Sequence, residues 1–156
     1  MGRVFIFDVD DTLIIHTKDR NDYYNLNTQN DLKNVIEKMN YKGIYIYTNG
    51  TYSHGKNVID NLNLDVNGIF GRDTIPYMKP HYNSFSFVKN IIDMNTDVQN
   101  DEYIFFDDLL DNLKTAKSVG WKTIWITPEF SNYPDFVDYS FPNVYQALIH
   151  FSLEER

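Results

Sequence analysis

The chain has no cysteine among its 156 residues. It therefore forms no disulfide and offers no thiolate to a metal, which fits a reducing compartment. It is also short of positive charge, with 14 Lys and Arg against 22 Asp and Glu and a formal net charge of -8. Affinity for nucleic-acid phosphates comes mainly from Lys and Arg displacing counterions, so stable nucleic-acid binding is disfavoured. No stretch approaches the ~20 apolar residues of a membrane span, and "MGRVFIFDVD" lacks the long apolar region of a secretory signal. The expectation is a soluble intracellular, cytoplasmic protein with no membrane partner. Repeats and low-complexity tracts are absent too, and the length suits one domain covering 1–156 with its own core.

What is present is an alternation of apolar runs and helical periods. "RVFIF" at 3–7, "GIYIYT" at 43–48, "EYIFF" at 102–106 and "KTIWIT" at 122–127 read as strands from their β-branched and aromatic content. Between them, Leu32, Val35, Ile36 and Met39 recur at helical spacing behind Thr28, a candidate N-cap. Val58, Ile59 and Leu62 mark a second helix, and Phe85, Val88 and Ile92 a third. A fourth, "LLDNLKTAKSV", is closed by Gly120 at a C′ position, and the aromatic, Pro-broken tail ends in a helix through Val144, Leu148 and Phe151. Short, continuously apolar strands separated by amphipathic helices predict an α/β fold: a three-layer α/β/α sandwich around a central parallel sheet. Ligands in such sheets gather at the carboxyl ends of the strands.

The residues at those ends are chemically pointed. The first strand runs into Asp8, Asp10 and Asp11, the second into Thr48 and Asn49, and the third into Asp107 and Asp108. Parallel neighbours would bring all of these to one edge. Carboxylates about 4 Å apart repel by about 4 kcal/mol per pair at an effective dielectric near 20, so such a cluster demands a cation or raised pKa values. Oxygen ligands without His or Cys suit Mg²⁺. Phosphate chemistry also needs a hydroxyl or amide donor and a Lys, which Thr48, Asn49 and Lys79 of "YMKPHY" provide.

"FIFDVDDTLI", "IYIYTNG", "MKPHYNSF" and "YIFFDDLLDNL", in that order and spacing, resemble the four motifs of the haloacid dehalogenase (HAD) superfamily over residues 4–126. The stretches that follow the second and fourth motifs are most similar to its pyrimidine 5′-nucleotidase-like branch. The resemblance implies a Mg²⁺-dependent phosphohydrolase that cleaves phosphomonoesters through an aspartyl-phosphate. Asp8 would be the nucleophile and Asp10 the general acid and base. Thr48, with the backbone or side chain of Asn49, would hold phosphoryl oxygens, and Lys79 would neutralise charge. Mg²⁺ would lie on the Asp8 carboxylate, the Asp10 backbone carbonyl and Asp108, with Asp107 a further ligand or a residue that orients the others. Asp11 would serve the turn. His54 is matched by a His in the nucleotidase-like branch, and a surface place at a helix start suits it equally. Asn112 matches a position that orients its neighbours, with a solvent-facing role as the alternative.

The chain departs from that branch in one respect. Relatives carry a helical cap between the first two motifs, whereas here residues 13–27 leave room only for a flap, so the cap is minimal or absent. An open site implies either a small phosphorylated substrate, a nucleotide first, held by the flap, or a larger one such as a phosphoprotein or polynucleotide end. A homo-oligomer whose subunits cover one another is a further way to close it. Tyr23 and Tyr24 of the flap would stack on a base or pack on the domain. The reading from another class is an Asp-phosphorylated receiver-like or binding module, but a receiver carries its acidic pair early, while Asp107 and Asp108 follow Lys79.

Overall fold

A computed structural model of the protein describes residues 2–16, 23–24 and 29–154, with backbone alone at 16, 23, 24, 29 and 30. Thr28, the side chains of Tyr23 and Tyr24, and most of the expected flap lie outside the described residues. Thirteen elements follow one another. They are β1 (Arg3–Phe7), β2 (Ile15–His16), β3 (Tyr23–Tyr24), α1 (Gln29–Glu37), β4 (Gly43–Tyr47), α2 (Tyr52–Asn61), β5 (Gly68–Phe70), α3 (Tyr82–Asp93), β6 (Glu102–Asp107), α4 (Leu110–Ser118), β7 (Lys122–Ile126), β8 (Tyr139–Phe141) and α5 (Val144–Glu154).

Six strands form one sheet in the order β5-β4-β1-β6-β7-β8, with every pairing parallel. The expected parallel sandwich is therefore present. The strands β2 and β3 make a separate antiparallel pair of two residues each, within the stretch expected to form a flap. Short connecting helices carry β1 to β4 and on to β5, and then α3 returns the chain to β6 on the other side of β1. That reversal makes the β1/β6 boundary the switch point, where parallel sheets open a crevice at their carboxyl ends.

Both faces of the sheet are covered. Phe5, Phe7, Ile44, Ile46, Ile104 and Phe106 pack with Leu32 and Ile36 of α1, Val58 and Ile59 of α2, and Leu148 and Phe151 of α5. Their strand neighbours Val4, Ile6, Tyr45, Tyr47, Tyr103 and Phe105 meet Phe85, Val88 and Ile92 of α3 and Leu113 and Ala116 of α4. Continuous apolar strands result because each successive residue points into one core or the other. Helix ends follow local chemistry. The Thr51 hydroxyl accepts the His54 N–H at 3.2 Å to cap α2. Gly120, at φ 91°, takes the left-handed turn after α4, as its C′ position predicts.

The edge strand β8 was not visible in the aromatic tail. "YSF" is three residues long with a polar centre, and it is specified by register against β7, Ile124 to Tyr139 and Ile126 to Phe141, not by its own pattern.

Candidate active site

The Asp8 backbone N–H donates to the Phe106 carbonyl at 3.0 Å, so the β1/β6 ladder holds this residue at the switch point. Immediately after it the Val9 carbonyl accepts from the N–H groups of Thr12, Leu13 and Ile14 at 3.0–3.2 Å, which curls the chain into a tight turn. Asp11 occupies the left-handed region at φ 58°, a conformation Asp tolerates better than most residues, and so has the turn role expected of it. The curl returns Thr12 to the site. Its hydroxyl donates to Asp8 Oδ2 at 3.1 Å and lies 3.4 Å from Asp108 Oδ1. Sequence reasoning missed Thr12, although a buried hydroxyl four residues after a strand-end aspartate is a usable signal.

Lys79 is the hub of the cluster. Its ammonium donates to Asp8 Oδ1 at 3.1 Å, Asp107 Oδ2 at 2.9 Å and the Tyr47 carbonyl at 2.8 Å, which accounts for all three of its hydrogens. The charge also stands 4.9 Å from the centre of the Tyr47 ring and 5.4 Å from that of Phe105. Burial alone would lower its pKa, but the Asp107 and Asp8 carboxylates more than reverse this and hold the ammonium above the ordinary lysine value. From three positions before α3, Lys79 thus reaches the carboxyl ends of β1, β4 and β6 at once.

The two acidic residues after β6 have different surroundings. Asp107 is fully buried, and its oxygens already accept from Lys79, from Asn112 Nδ2 at 3.1 Å and from the Leu109 N–H at 2.9 Å. Asn112 is buried and orients Asp107, which resolves its two readings in favour of the site. Among the described residues Asp108 has no such cation. Its carbonyl accepts from Trp125 Nε1 at 2.9 Å, fixing the backbone, while its carboxyl faces Asp8. Burial, then Asp107 and Asp8, push the Asp108 pKa up to about 9. Burial and the Asp107 charge likewise push Asp8 up to about 6, with Lys79 opposing them.

Asp8, Asp107 and Asp108 each offer an oxygen within 4.8 Å of the others, a spacing that could hold a metal ion. Burial and the neighbouring carboxylates raise both pKa values, a setting that favours a cation, and hard carboxylate oxygens fit Mg²⁺. Because Asp107 is already engaged by three donors, Asp8 and Asp108 are the better ligands.

Thr48 and Asn49 arrive at the end of β4. Thr48 is 1% exposed; its Oγ1 accepts from the Gly50 N–H at 2.9 Å, and its own hydroxyl hydrogen has no acceptor among the described residues. Asn49 spends its side chain on Lys79: Oδ1 accepts the Lys79 N–H at 2.9 Å and Nδ2 donates to the Lys79 carbonyl at 3.0 Å. Of the two readings for Asn49, the backbone keeps its donor, while the side chain keeps only the second Nδ2 hydrogen beyond its two bonds to Lys79. Asp10 stands apart from the acid cluster, with Oδ1 2.9 Å from His54 Nε2. Asp8, Lys79, Asp107 and Asp108 are thus brought into contact, with Thr48 and Asn49 on one flank and Asp10 on another.

No family model matches the sequence, and no curated protein sequence does. Among solved structures, the chain is similar to an L-2-haloacid dehalogenase at 17% identity and a TM-score of 0.59, over 79% of this chain and 54% of that one. It is similar to a HAD-hydrolase from Bacillus subtilis bound to magnesium at 20% identity and a TM-score of 0.61, over 76% of this chain and 53% of that one. It also resembles 3-deoxy-D-manno-octulosonate 8-phosphate phosphatase from Moraxella catarrhalis in complex with magnesium, phosphate and KDO. There the identity is 14% and the TM-score 0.61, over 99% of this chain and 87% of that one. The chain spans about half the length of the first two. These likenesses show the fold alone, the parallel α/β core that this chain has in common with those structures.

Proposed function

We propose that this HAD-fold chain is a Mg²⁺-dependent phosphohydrolase that cleaves phosphomonoesters through an aspartyl-phosphate on Asp8. The observation that carries the reading is the buried Asp8 carboxylate, tied to Lys79 on one side and left beside Asp108 on the other. A nucleophile for phosphorus must approach an anionic group, and Lys79 offsets that repulsion while holding the carboxylate in place. Attack by an Asp8 oxygen forms the acyl phosphate as the bond from phosphorus to the leaving oxygen breaks, and Asp10 gives that oxygen a proton. Asp10, now ionised, takes a proton from water as the water oxygen bonds to phosphorus. Asp8 and inorganic phosphate are released. The Thr48 hydroxyl and the Asn49 backbone would steady phosphoryl oxygens.

Asp8, Asp108 and the Asp10 carbonyl would hold Mg²⁺, with Asp107 fixing Lys79. Bound there, the ion would supply charge compensation and polarise the phosphoryl group. Small substrates, nucleoside monophosphates first, fit the minimal β2/β3 element; phosphoproteins and polynucleotide ends are the rival class, and a soluble intracellular setting is proposed with them. Among the described residues no helix is long and apolar enough to cross a membrane.

Phosphate release from p-nitrophenyl phosphate, nucleoside monophosphates, a phosphopeptide and a phosphorylated oligonucleotide, with and without Mg²⁺, tests this reading. Metal-dependent release that Asp8→Asn abolishes is expected. Release that survives Asp8→Asn near the wild-type rate removes Asp8 as nucleophile.

A further inference from the structure

The contact between Asp10 and His54 lies outside the Lys79 network. His54 sits in the first turn of α2, where its backbone N–H is pinned to the Thr51 hydroxyl at 3.2 Å. Its ring passes close over the loop that carries Thr48. A Cβ added to Gly50 would come within 3.0 Å of His54 Cδ2 and 3.2 Å of Thr48 Oγ1. Glycine at 50 therefore leaves the space in which the imidazole lies, and the ring reaches Asp10 Oδ1 with Nε2 at 2.9 Å. The two side chains are 26% and 39% exposed, and an ion pair that open to water contributes little to stability. What it does contribute is direction.

We propose that His54 is a positioning residue for Asp10, an inference that rests on the phosphohydrolase reading. As the Nε2–H tautomer, His54 donates to Asp10 Oδ1 and fixes the plane of the carboxyl. That plane sets the line along which Asp10 presents its proton to the leaving oxygen and later withdraws one from water. The helix start that carries His54 follows directly on the loop that carries Thr48 and Asn49, so the group holding the phosphoryl oxygens and the group aiming the acid move as one unit.

An acid that is aimed badly matters most when the leaving group needs a proton. p-Nitrophenolate departs without one, whereas the alkoxide of an alkyl phosphate does not. The experiment compares kcat/KM for p-nitrophenyl phosphate and glycerol phosphate in wild type, His54→Ala and His54→Gln, with unfolding midpoints and Mg²⁺ affinities measured alongside. His54→Ala is expected to lower kcat/KM for glycerol phosphate by about 10- to 100-fold, part of the range general acids contribute. For p-nitrophenyl phosphate kcat/KM should stay within about 3-fold while kcat falls, because attack of water still needs the base. His54→Gln, which keeps an N–H donor on a side chain of similar reach, should recover most of the loss on glycerol phosphate. Unfolding midpoint and Mg²⁺ affinity should match wild type in both variants. Equal losses on the two substrates, no loss on either, or no recovery in His54→Gln would overturn the assignment while leaving the phosphohydrolase reading intact. Absence of Mg²⁺-dependent turnover in the wild type would instead overturn that reading, and the role of His54 with it.

Discussion

Where the chain enters α3, one ammonium meets two carboxylates and a carbonyl, and every hydrogen on Lys79 is used. A few ångströms away, at the end of β6, Asp108 faces Asp8 with no cation beside it among the described residues, and its pKa is pushed up to about 9 by burial and by Asp107 and Asp8. The first region is balanced in its hydrogen bonds, each donor of the ammonium meeting an acceptor. The second is short of positive charge among the described residues, and on the proposed reading a cation completes it. A site built this way keeps its nucleophile oriented and leaves one direction of approach electrostatically favourable to a cation.

Breaking the balanced half should have the largest effect. Lys79→Met keeps length and apolar contact with Tyr47 and Phe105 but leaves Asp8 and Asp107 facing one another in the interior. Removing one partner of a buried ion pair costs about 3–5 kcal/mol. Urea unfolding at pH 7 should show a loss of that size together with loss of turnover. Adding Asp107→Asn to the same chain should return part of the stability without the activity. An unchanged midpoint in Lys79→Met would mean that the network does not bear on stability.

The charge-deficient half makes a prediction in pH. Asp8 and Asp108 have pKa values raised from 3.8 to about 6 and about 9. A raised carboxyl costs nothing while both folded and unfolded forms are protonated, and the penalty grows as pH passes the unfolded value toward the folded one. The metal-free protein should therefore lose stability from about pH 4 to about pH 9 on account of these groups. Mg²⁺ reverses that loss, so the gain in Tm on adding the ion should be small near pH 5 and larger near pH 8. At 100 times its Kd a ligand adds about 2.7 kcal/mol by mass action. A gain that is flat across this range would separate the metal from Asp8 and Asp108.

The sheet was legible in the sequence because each central strand is buried on both faces and so is apolar over a continuous run, as in "RVFIF" and "EYIFF" after their first residue. The acidic ends were legible for the converse reason, since charge directly after such a run has only the strand terminus to occupy. The division of labour between Asp107 and Asp108 was not. Adjacent aspartates are identical as letters, and only the arrival of Lys79 and Asn112 from elsewhere engages Asp107 and leaves Asp108 the one proposed as a ligand. His54 was ambiguous for the same reason: its contact with Asp10 spans 44 positions and depends on the loop at Gly50. The clamp of the Asn49 side chain on the Lys79 backbone was not legible either, because it joins residues 30 positions apart.

That clamp gives the smallest of the expected effects and the finest test of the contrast between the two halves. Asn49 touches neither carboxylate, yet its amide pairs with both the N–H and the carbonyl of Lys79. Asn49→Ala removes both bonds and leaves a partly buried donor and acceptor to find water, a cost of about 1–2 kcal/mol. If the Lys79 side is held together by its own bonds, the ammonium will shift when its backbone is released, and kcat should fall more than KM rises. Mg²⁺ affinity should barely change, because the Asn49 amide touches neither Asp8 nor Asp108, whose pKa values are raised first by burial and then by the Asp107 charge. A variant that instead lost Mg²⁺ affinity in step with kcat would show the two halves to be one coupled network, with the position of Lys79 setting the metal site as well as the nucleophile.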